Sequence, residues 1–375
     1  MRKLLSFIAV AALLLLVPVV VWGVKTSFFD QSLVLDNRED GAAPNNGANY
    51  FFNYAKANPE LASIQNVDYS IDEMKQFDSM YVSTEDGFRT TVDQWNQVKV
   101  NIDQNDPSLL FAEYGVIHNA ESADLSQLIS QDLGVNSTNW AGLYVPDLAD
   151  TDNPAIPAKV FENIGSEWNY SGPGLVLNNS NEEKAQVVEL APGEDGAEEL
   201  ALQPTEAGRE SGYDDVPAPY SGWFDIVEPA AGTEVLYAFD FALDDEAKAA
   251  LAKESIPDII PAVTVSREGA SDRFYLAGSF SQAEAIPEIY QVQGIQHLYS
   301  LFERFSSSIF YWNSFFPIMS QSVKLHQEFS ETTGEDFAVA DQPNPGEVFY
   351  PARMKNDSNR IEVRVGDEFR PMTIK

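Results

Sequence analysis

Ser108-Leu109-Leu110-Phe111-Ala112-Glu113-Tyr114 runs through Leu, Leu, Phe and Ala without interruption between a serine and a glutamate. A short apolar run without polar alternation reads as a strand buried on both faces, as the strands of a parallel sheet are. Downstream, Ser122 to Leu133 has the spacing of a helix, with Ser122 as its cap and Leu125, Leu128, Ile129 and Leu133 along one face. Upstream, Phe77-Asp78-Ser79-Met80-Tyr81-Val82-Ser83 is a second strand, leading into Thr84-Glu85-Asp86-Gly87. Leu33-Val34-Leu35 is a third, ending on Asp36, and Asn49 to Ala57 is a helix that stops before Pro59. Strands separated by helices predict an α/β fold, a three-layer sandwich built on a parallel sheet.

Beyond Trp140 the texture changes. Leu175-Val176-Leu177 and Ala185-Gln186-Val187-Val188-Glu189-Leu190, separated by a polar turn, predict an antiparallel β extension. Residues 191–219, rich in Glu, Asp, Gly, Ala and Pro, read as a mobile acidic loop. Strands follow at Glu234–Leu243, Ile259–Ser266 and Arg273–Gly278, with an exposed helix from Asp244 to Glu254. The α/β domain so outlined spans 30–285. Residues 286–350 form a helical extension, with an apolar-striped helix from Gln293 to Phe310 and the aromatic run Phe310-Tyr311-Trp312-Asn313-Ser314-Phe315-Phe316. Residues 351–375 close with a hairpin, Arg360–Val365 paired to Phe369–Lys375, which reads either as the opening of a further domain or as a hairpin docked on the preceding sheet.

The amino terminus carries its own expectation. Arg2 and Lys3 precede an uncharged run from Leu4 to Val24, closed by Lys25. As a helix that run covers roughly 30 Å, the thickness of a bilayer core, and its basic start places the rest of the chain outside. Residues 1–25 are thus expected to be a transmembrane anchor, with Trp22 at the interface, or a signal segment cleaved near Val21-Trp22-Gly23. Both versions make the protein extracytoplasmic, anchored facing the cell exterior or periplasm, or secreted.

Composition narrows the chemistry. The 375 residues include 23 Lys and Arg against 58 Asp and Glu, a formal charge of −35. Such a surface repels phosphate backbones, so nucleic acid is an improbable partner, and any membrane contact must be hydrophobic. There is no cysteine, which excludes disulfides, thiolate metal sites and a cysteine nucleophile. With only three histidines, His118, His297 and His326, far apart in the chain, neither a metal nor a cofactor is expected.

Ligands bind where parallel strands end. By that rule Asp36, Glu85, Asp86 and Glu113 would gather at one sheet edge, with His118 close by. Paired carboxylates there could do acid/base work or hold a cation, or they could simply cap helices and face water. Trp140, Tyr144, Trp168 and Trp223 sit among glycines and prolines and read as loop aromatics, a platform for sugar rings or ordinary packing residues. The sequence carries no phosphate-cradling glycine motif after a strand and no nucleophile elbow.

Asp78-Ser79-Met80-Tyr81-Val82-Ser83-Thr84-Glu85-Asp86-Gly87-Phe88, followed by Leu110-Phe111-Ala112-Glu113-Tyr114, resembles bacterial membrane-anchored proteins with a class-I glutamine-amidotransferase-like domain of flavodoxin type. Thr138-Asn139-Trp140-Ala141-Gly142-Leu143-Tyr144 and the segment from Trp168 to Leu177 are similar to the same group. The resemblance implies a non-catalytic relative, since the cysteine nucleophile is missing. The closing Phe369-Arg370-Pro371-Met372-Thr373-Ile374-Lys375 resembles the lead-in to a glycoside-hydrolase barrel, as in longer forms of the group.

Three functional expectations follow. The first is a non-catalytic extracytoplasmic accessory domain that binds polysaccharide. The second is a carboxylate-dependent glycoside hydrolase using Glu113 with Asp86 or Glu85. The third is a structural partner in an envelope assembly, docking through the aromatic cluster at 310–316.

Overall fold

A computed structural model of the chain describes residues 29–36, 47–84, 90–104, 108–282, 309–337, 352–354, 361–365 and 368–372, less 30, 56, 58, 63, 65–69, 166–167, 180, 191–199, 217, 242 and 269–270. The chain divides into two units, residues 1–323 and 324–375.

The first unit is built on an eight-stranded sheet of order β2-β1-β3-β4-β12-β11-β10-β8. Its strands are β1 (Ser32–Asp36), β2 (Glu60–Ala62), β3 (Ser79–Ser83), β4 (Leu109–Glu113), β8 (Ala201–Pro204), β10 (Glu234–Asp240), β11 (Ile260–Glu268) and β12 (Ser271–Leu276). Strands β2, β1, β3, β4 and β12 run parallel. Helices α1 (Gly47–Tyr54), α2 (Ile71–Met74) and α3 (Val92–Gln104) make the crossovers between β1 and β4. After β4, helix α4 (Ala123–Asp132) leads away to a second, four-stranded antiparallel sheet of order β7-β6-β5-β9. That sheet comprises β5 (Val135–Val145), β6 (Gly174–Asn179), β7 (Lys184–Glu189) and β9 (Trp223–Pro229). Shorter helices follow in chain order: α5 (Ala158–Ile164) between β5 and β6, α6 (Glu206–Glu210) between β8 and β9, and α7 (Asp245–Lys253) between β10 and β11.

Local chemistry explains where these helices begin. Ser122 accepts the Leu125 N–H at 3.2 Å, Thr205 the Gly208 N–H at 3.0 Å and Asp244 the Ala247 N–H at 2.8 Å. Each cap satisfies a first-turn donor that the helix itself leaves unpaired. Strands β1, β3 and β4 are buried at every position, as their apolar runs require. The core between them is aromatic, with Phe111 stacked on Phe274 at 5.1 Å and Tyr81 6.2 Å from Phe111.

Two expectations are corrected. The flavodoxin or glutamine-amidotransferase-like sandwich on a parallel sheet is replaced by a mixed sheet: every pairing from β12 through β11 and β10 to β8 is antiparallel. A strand buried on both faces reads as an apolar run whichever way it points, so apolar runs alone carried no direction. The second correction concerns the amino-terminal transmembrane helix and the anchored exterior location built on it. Among the described residues no helix is long and apolar enough to cross a membrane, and residues 4–24 lie outside the described residues.

Two further stretches differ from their sequence reading. Part of the segment expected to be a mobile acidic loop is ordered as β8 and α6. The aromatic run at 310–316 is internal: Tyr311, Trp312 and Phe315 are buried, and Phe316 begins helix α8 (Phe316–Phe337). Tyr311 donates to the Gly47 carbonyl at 2.8 Å, Trp312 meets Tyr50 edge-on at 5.5 Å, and Phe316 meets Phe51 at 5.3 Å. The buried rings of this run therefore clamp α1. The helix expected from Gln293 lies outside the described residues except at its end.

In the second unit, β13 (Ala352–Met354), β14 (Ile361–Val365) and β15 (Glu368–Met372) form a three-stranded antiparallel sheet, the expected terminal hairpin with one strand added before it.

Candidate functional site: the carboxyl edge and an aromatic satellite

Register places three polar residues side by side where the parallel strands end. Asp36 pairs with Ser83 between β1 and β3, and Tyr81 pairs with Phe111 between β3 and β4. Two residues on from that second pair, Ser83 and Glu113 lie on one face, because side chains alternate with a period of two. All three are buried, Glu113 to 1% exposure. Glu85 and Asp86, expected to join them, lie outside the described residues.

Glu113 is held by donors from elsewhere in the fold. Tyr81 on β3 donates its hydroxyl to Oε2, and Ser281, beyond β12, donates to Oε1 at 3.1 Å. The carboxylate thus ties β3, β4 and the segment after β12 together.

A third buried carboxylate, Asp225 on β9, sits at the same edge. Its Oδ2 accepts the Tyr275 hydroxyl at 2.5 Å and the Gly115 N–H at 3.4 Å. His118 Nδ1 lies 3.8 Å from its Oδ1, and the imidazole stacks on Tyr114. Gly115 is the glycine this arrangement requires. Its φ is +89°, and a Cβ there would stand 2.6 Å from the Thr84 carbonyl oxygen. The Asp225 N–H in turn donates to the Ala277 carbonyl at 2.7 Å, and Phe224 bridges to Gly278. Asp225 is therefore the joint between the two sheets.

The surrounding phenols are sealed. Burial pushes the Tyr275 and Tyr220 hydroxyls well above the ordinary tyrosine range, and the nearby charges of Asp225 and Glu113 add to the effect. Tyr220 donates to the Trp223 carbonyl at 2.6 Å and accepts the Ser279 N–H at 2.9 Å. This edge is an interlocked polar core in which Glu113 and Asp225 face protein donors.

Sequence reasoning missed Asp225, because Gly222-Trp223-Phe224-Asp225 reads as a turn. The partners that give Asp225 meaning come from β12 and from the turn after β4, which no local pattern joins to it. An aspartate inside the apolar run from Phe224 to Val227 was the available signal.

The four expected aromatics separate into two pairs. Trp140 and Tyr144 are buried residues of β5, an eleven-residue strand rather than a loop. Lys184 lies over the Trp140 ring, 5.4 Å from its centroid. Trp168 and Trp223 go instead to a satellite core around Leu143, Val145, Leu148, Ile156, Val160 and Val176, against which Phe161 and Tyr170 also pack. The split follows from the strand period: Leu143, opposite Trp223 in register, points away from Trp140 and Tyr144.

In the satellite the rings are half-buried and tethered. Trp168 Nε1 donates to the Leu148 carbonyl at 2.7 Å and Trp223 Nε1 to the Ala155 carbonyl at 2.8 Å, both in the connection from β5 to α5. Trp168 lies 4.8 Å from Phe161 and meets Tyr170 edge-on at 5.3 Å. Asp147, on the same connection, accepts the Ala149 and Gly172 N–H groups, and Asp150 and Asp152 are exposed there.

No protein-family model matches the chain, and no curated protein matches it. Among solved structures it is similar to a cytoplasmic protein of Salmonella typhimurium, STM3548, at 7% identity and a TM-score of 0.38, covering 78% of this chain and 98% of that one. A second, the cytoplasmic protein STM1381 of Salmonella typhimurium LT2, gives 8% identity and a TM-score of 0.35 over 76% of this chain and 97% of that one. Similarity at this level carries no argument about fold or function.

Proposed function

We propose that this chain is a non-catalytic accessory module that binds polysaccharide through the aromatic satellite of its antiparallel sheet. The observation that carries the reading is the half-buried trio Trp168, Tyr170 and Trp223, whose two indoles are each fixed by a hydrogen bond to the same connecting segment. Sugar rings stack on flat apolar faces, and a ring already held in place loses little freedom when the ligand arrives. Asp150 and Asp152, exposed on the segment that tethers both indoles, supply acceptors for sugar hydroxyls.

The hydrolase alternative draws less from the same geometry. A general acid or base must reach the substrate. Glu113 is buried and accepts hydrogen bonds from Tyr81 and Ser281 on its two oxygens.

Retardation of the full chain in native gels cast with soluble β-glucans, xylans, mannans and α-glucans tests the proposal. The wild-type chain is expected to be retarded by at least one of them, and Trp223→Ala combined with Tyr170→Ala to run as in plain gels. A well-folded wild-type chain that no polysaccharide retards sinks the reading. So does release of reducing sugar from a retarding polymer if Glu113→Gln abolishes it.

A further inference from the structure

The edges of the two sheets in the first unit are not alike. On the large sheet, β2 is only three residues long, and the segment entering β8 is bridged through Leu200 to Tyr220. On the antiparallel sheet, β9 is joined to the large sheet through Phe224 and Gly278. Strand β7 is the exception. It runs for six residues and, among the described residues, pairs only with β6.

The direction of its unpaired groups follows from the ladder. Leu190 donates its N–H to the Pro173 carbonyl, toward β6. Hydrogen-bonded and non-bonded positions alternate along an antiparallel pair, so Val188, Gln186 and Lys184 also face β6. Ala185, Val187 and Glu189 then turn their N–H and C=O groups outward. A groove of about 280 Å³ runs along this part of the strand, between Val187, Glu189 and Leu190 on one side and Asp244, Glu246 and Ala247 at the start of α7 on the other. Edge strands of this kind are templates for an added strand, and a strand beside a helix makes a slot for an extended peptide.

Charge selects the occupant. Glu189, Asp244 and Glu246 line the groove, and the whole chain carries −35. The sequence directly after β7 adds four more carboxylates, Glu194, Asp195, Glu198 and Glu199. A second copy of the same acidic edge is repelled. We infer that β7 and α7 form a docking groove for an extended, lysine- or arginine-rich peptide segment of a partner protein, which adds to the antiparallel sheet as a fifth strand. The groove shares Val187 with the core beneath the aromatic satellite but none of its rings, and peptide docking there does not require polysaccharide binding.

Fluorescence anisotropy with the full chain tests this, using the labelled peptide Thr-Lys-Val-Lys-Val-Lys-Thr and two controls. One control replaces each Lys with Glu, and the other is N-methylated at alternate residues along the edge meant to pair with β7. Saturable binding is expected for the first peptide, falling at least tenfold for each control and rising as salt is lowered. Glu189→Lys combined with Glu246→Lys should cut binding at least tenfold, with a circular dichroism spectrum like that of the wild type. Equal binding of the N-methylated peptide overturns strand addition, because only backbone pairing distinguishes it. No saturable binding of the lysine peptide overturns the proposal, as does a concentration-dependent dimer formed through β7.

Discussion

The carboxyl edge of the parallel strands and the aromatic satellite of the antiparallel sheet were the two places where the sequence promised chemistry, and they have opposite fates. At the edge, Glu113 and Asp225 are buried among hydroxyl and N–H donors from β3, the turn after β4, β12 and the segment beyond it. In the satellite, Trp168 and Trp223 have used their N–H groups on backbone carbonyls and keep part of each ring at the surface. A polar group that has found protein partners in the interior is a fastener. An apolar ring that remains half-exposed after its polar atom is satisfied is available for a ligand. Residue type alone does not separate the two, but partners and exposure do.

The largest expected effect tests whether the edge is sealed. Burial raises the pKa of Tyr220 and Tyr275 at the edge, and of Tyr311 beneath α1, above the 10.0 of a free phenol. A raised folded-state pKa means stability that is intact below pH 10 and lost as pH climbs past it, because only the unfolded chain ionises easily there. A late part of the tyrosinate absorbance at 295 nm should therefore rise in one cooperative step together with loss of near-UV circular dichroism. Smooth ionisation of all 15 tyrosines near pH 10 with tertiary structure intact would show these phenols to be open to water.

Next in size is Glu113→Ala, which leaves the Tyr81 and Ser281 hydroxyls without their acceptor in the interior. The expected loss is about 3 kcal/mol, from the cost of stranding buried polar groups, read as a lower midpoint in urea. An unchanged midpoint would remove the fastener role and return Glu113 to the list of candidate acids. Gly142→Ala tests the junction between the regions. A Cβ there would stand 2.5 Å from the Phe224 ring, which itself packs 4.4 Å from Phe239 of the large sheet. Overpacking of this kind costs about 1–3 kcal/mol. A neutral outcome would mean that the two sheets adjust to one another more freely than their packing suggests.

Much of the fold was legible where signals are local. The apolar runs of β1, β3 and β4, the Ser122 cap and the hairpin of β6 with β7 can all be read from neighbouring residues. Strand direction could not be read, because the antiparallel flank is fixed by pairings such as Val265 with Phe274 and Tyr237 with Pro204, not by the pattern within any one strand. The candidate site divided in the same way. Glu113 was visible as a carboxylate at a strand end. Asp225 was not, since its role depends on Tyr275, Gly115 and His118, between 50 and 110 residues away in sequence for the first two. Trp140 and Tyr144 looked like loop aromatics because the β5 segment holds Asn139 at φ +63° and a register shift between Ser137 and Trp140. A bulge of that kind breaks the alternation by which a strand is recognised.

The smallest effect probes the satellite most directly. Trp168→Phe keeps an apolar ring against Phe161 and Tyr170 but removes the Nε1 donor to the Leu148 carbonyl. The lost hydrogen bond is worth about 1 kcal/mol, so the urea midpoint should move only slightly. Polysaccharide retention should fall further than stability does, because the ring that remains is smaller and no longer held at a fixed angle. If retention and stability fall together in proportion, the tether serves folding alone and Trp168 is a packing residue like Trp140. If retention falls while the midpoint holds, the satellite differs from the carboxyl edge in the way proposed: its contacts position a surface for something outside the chain.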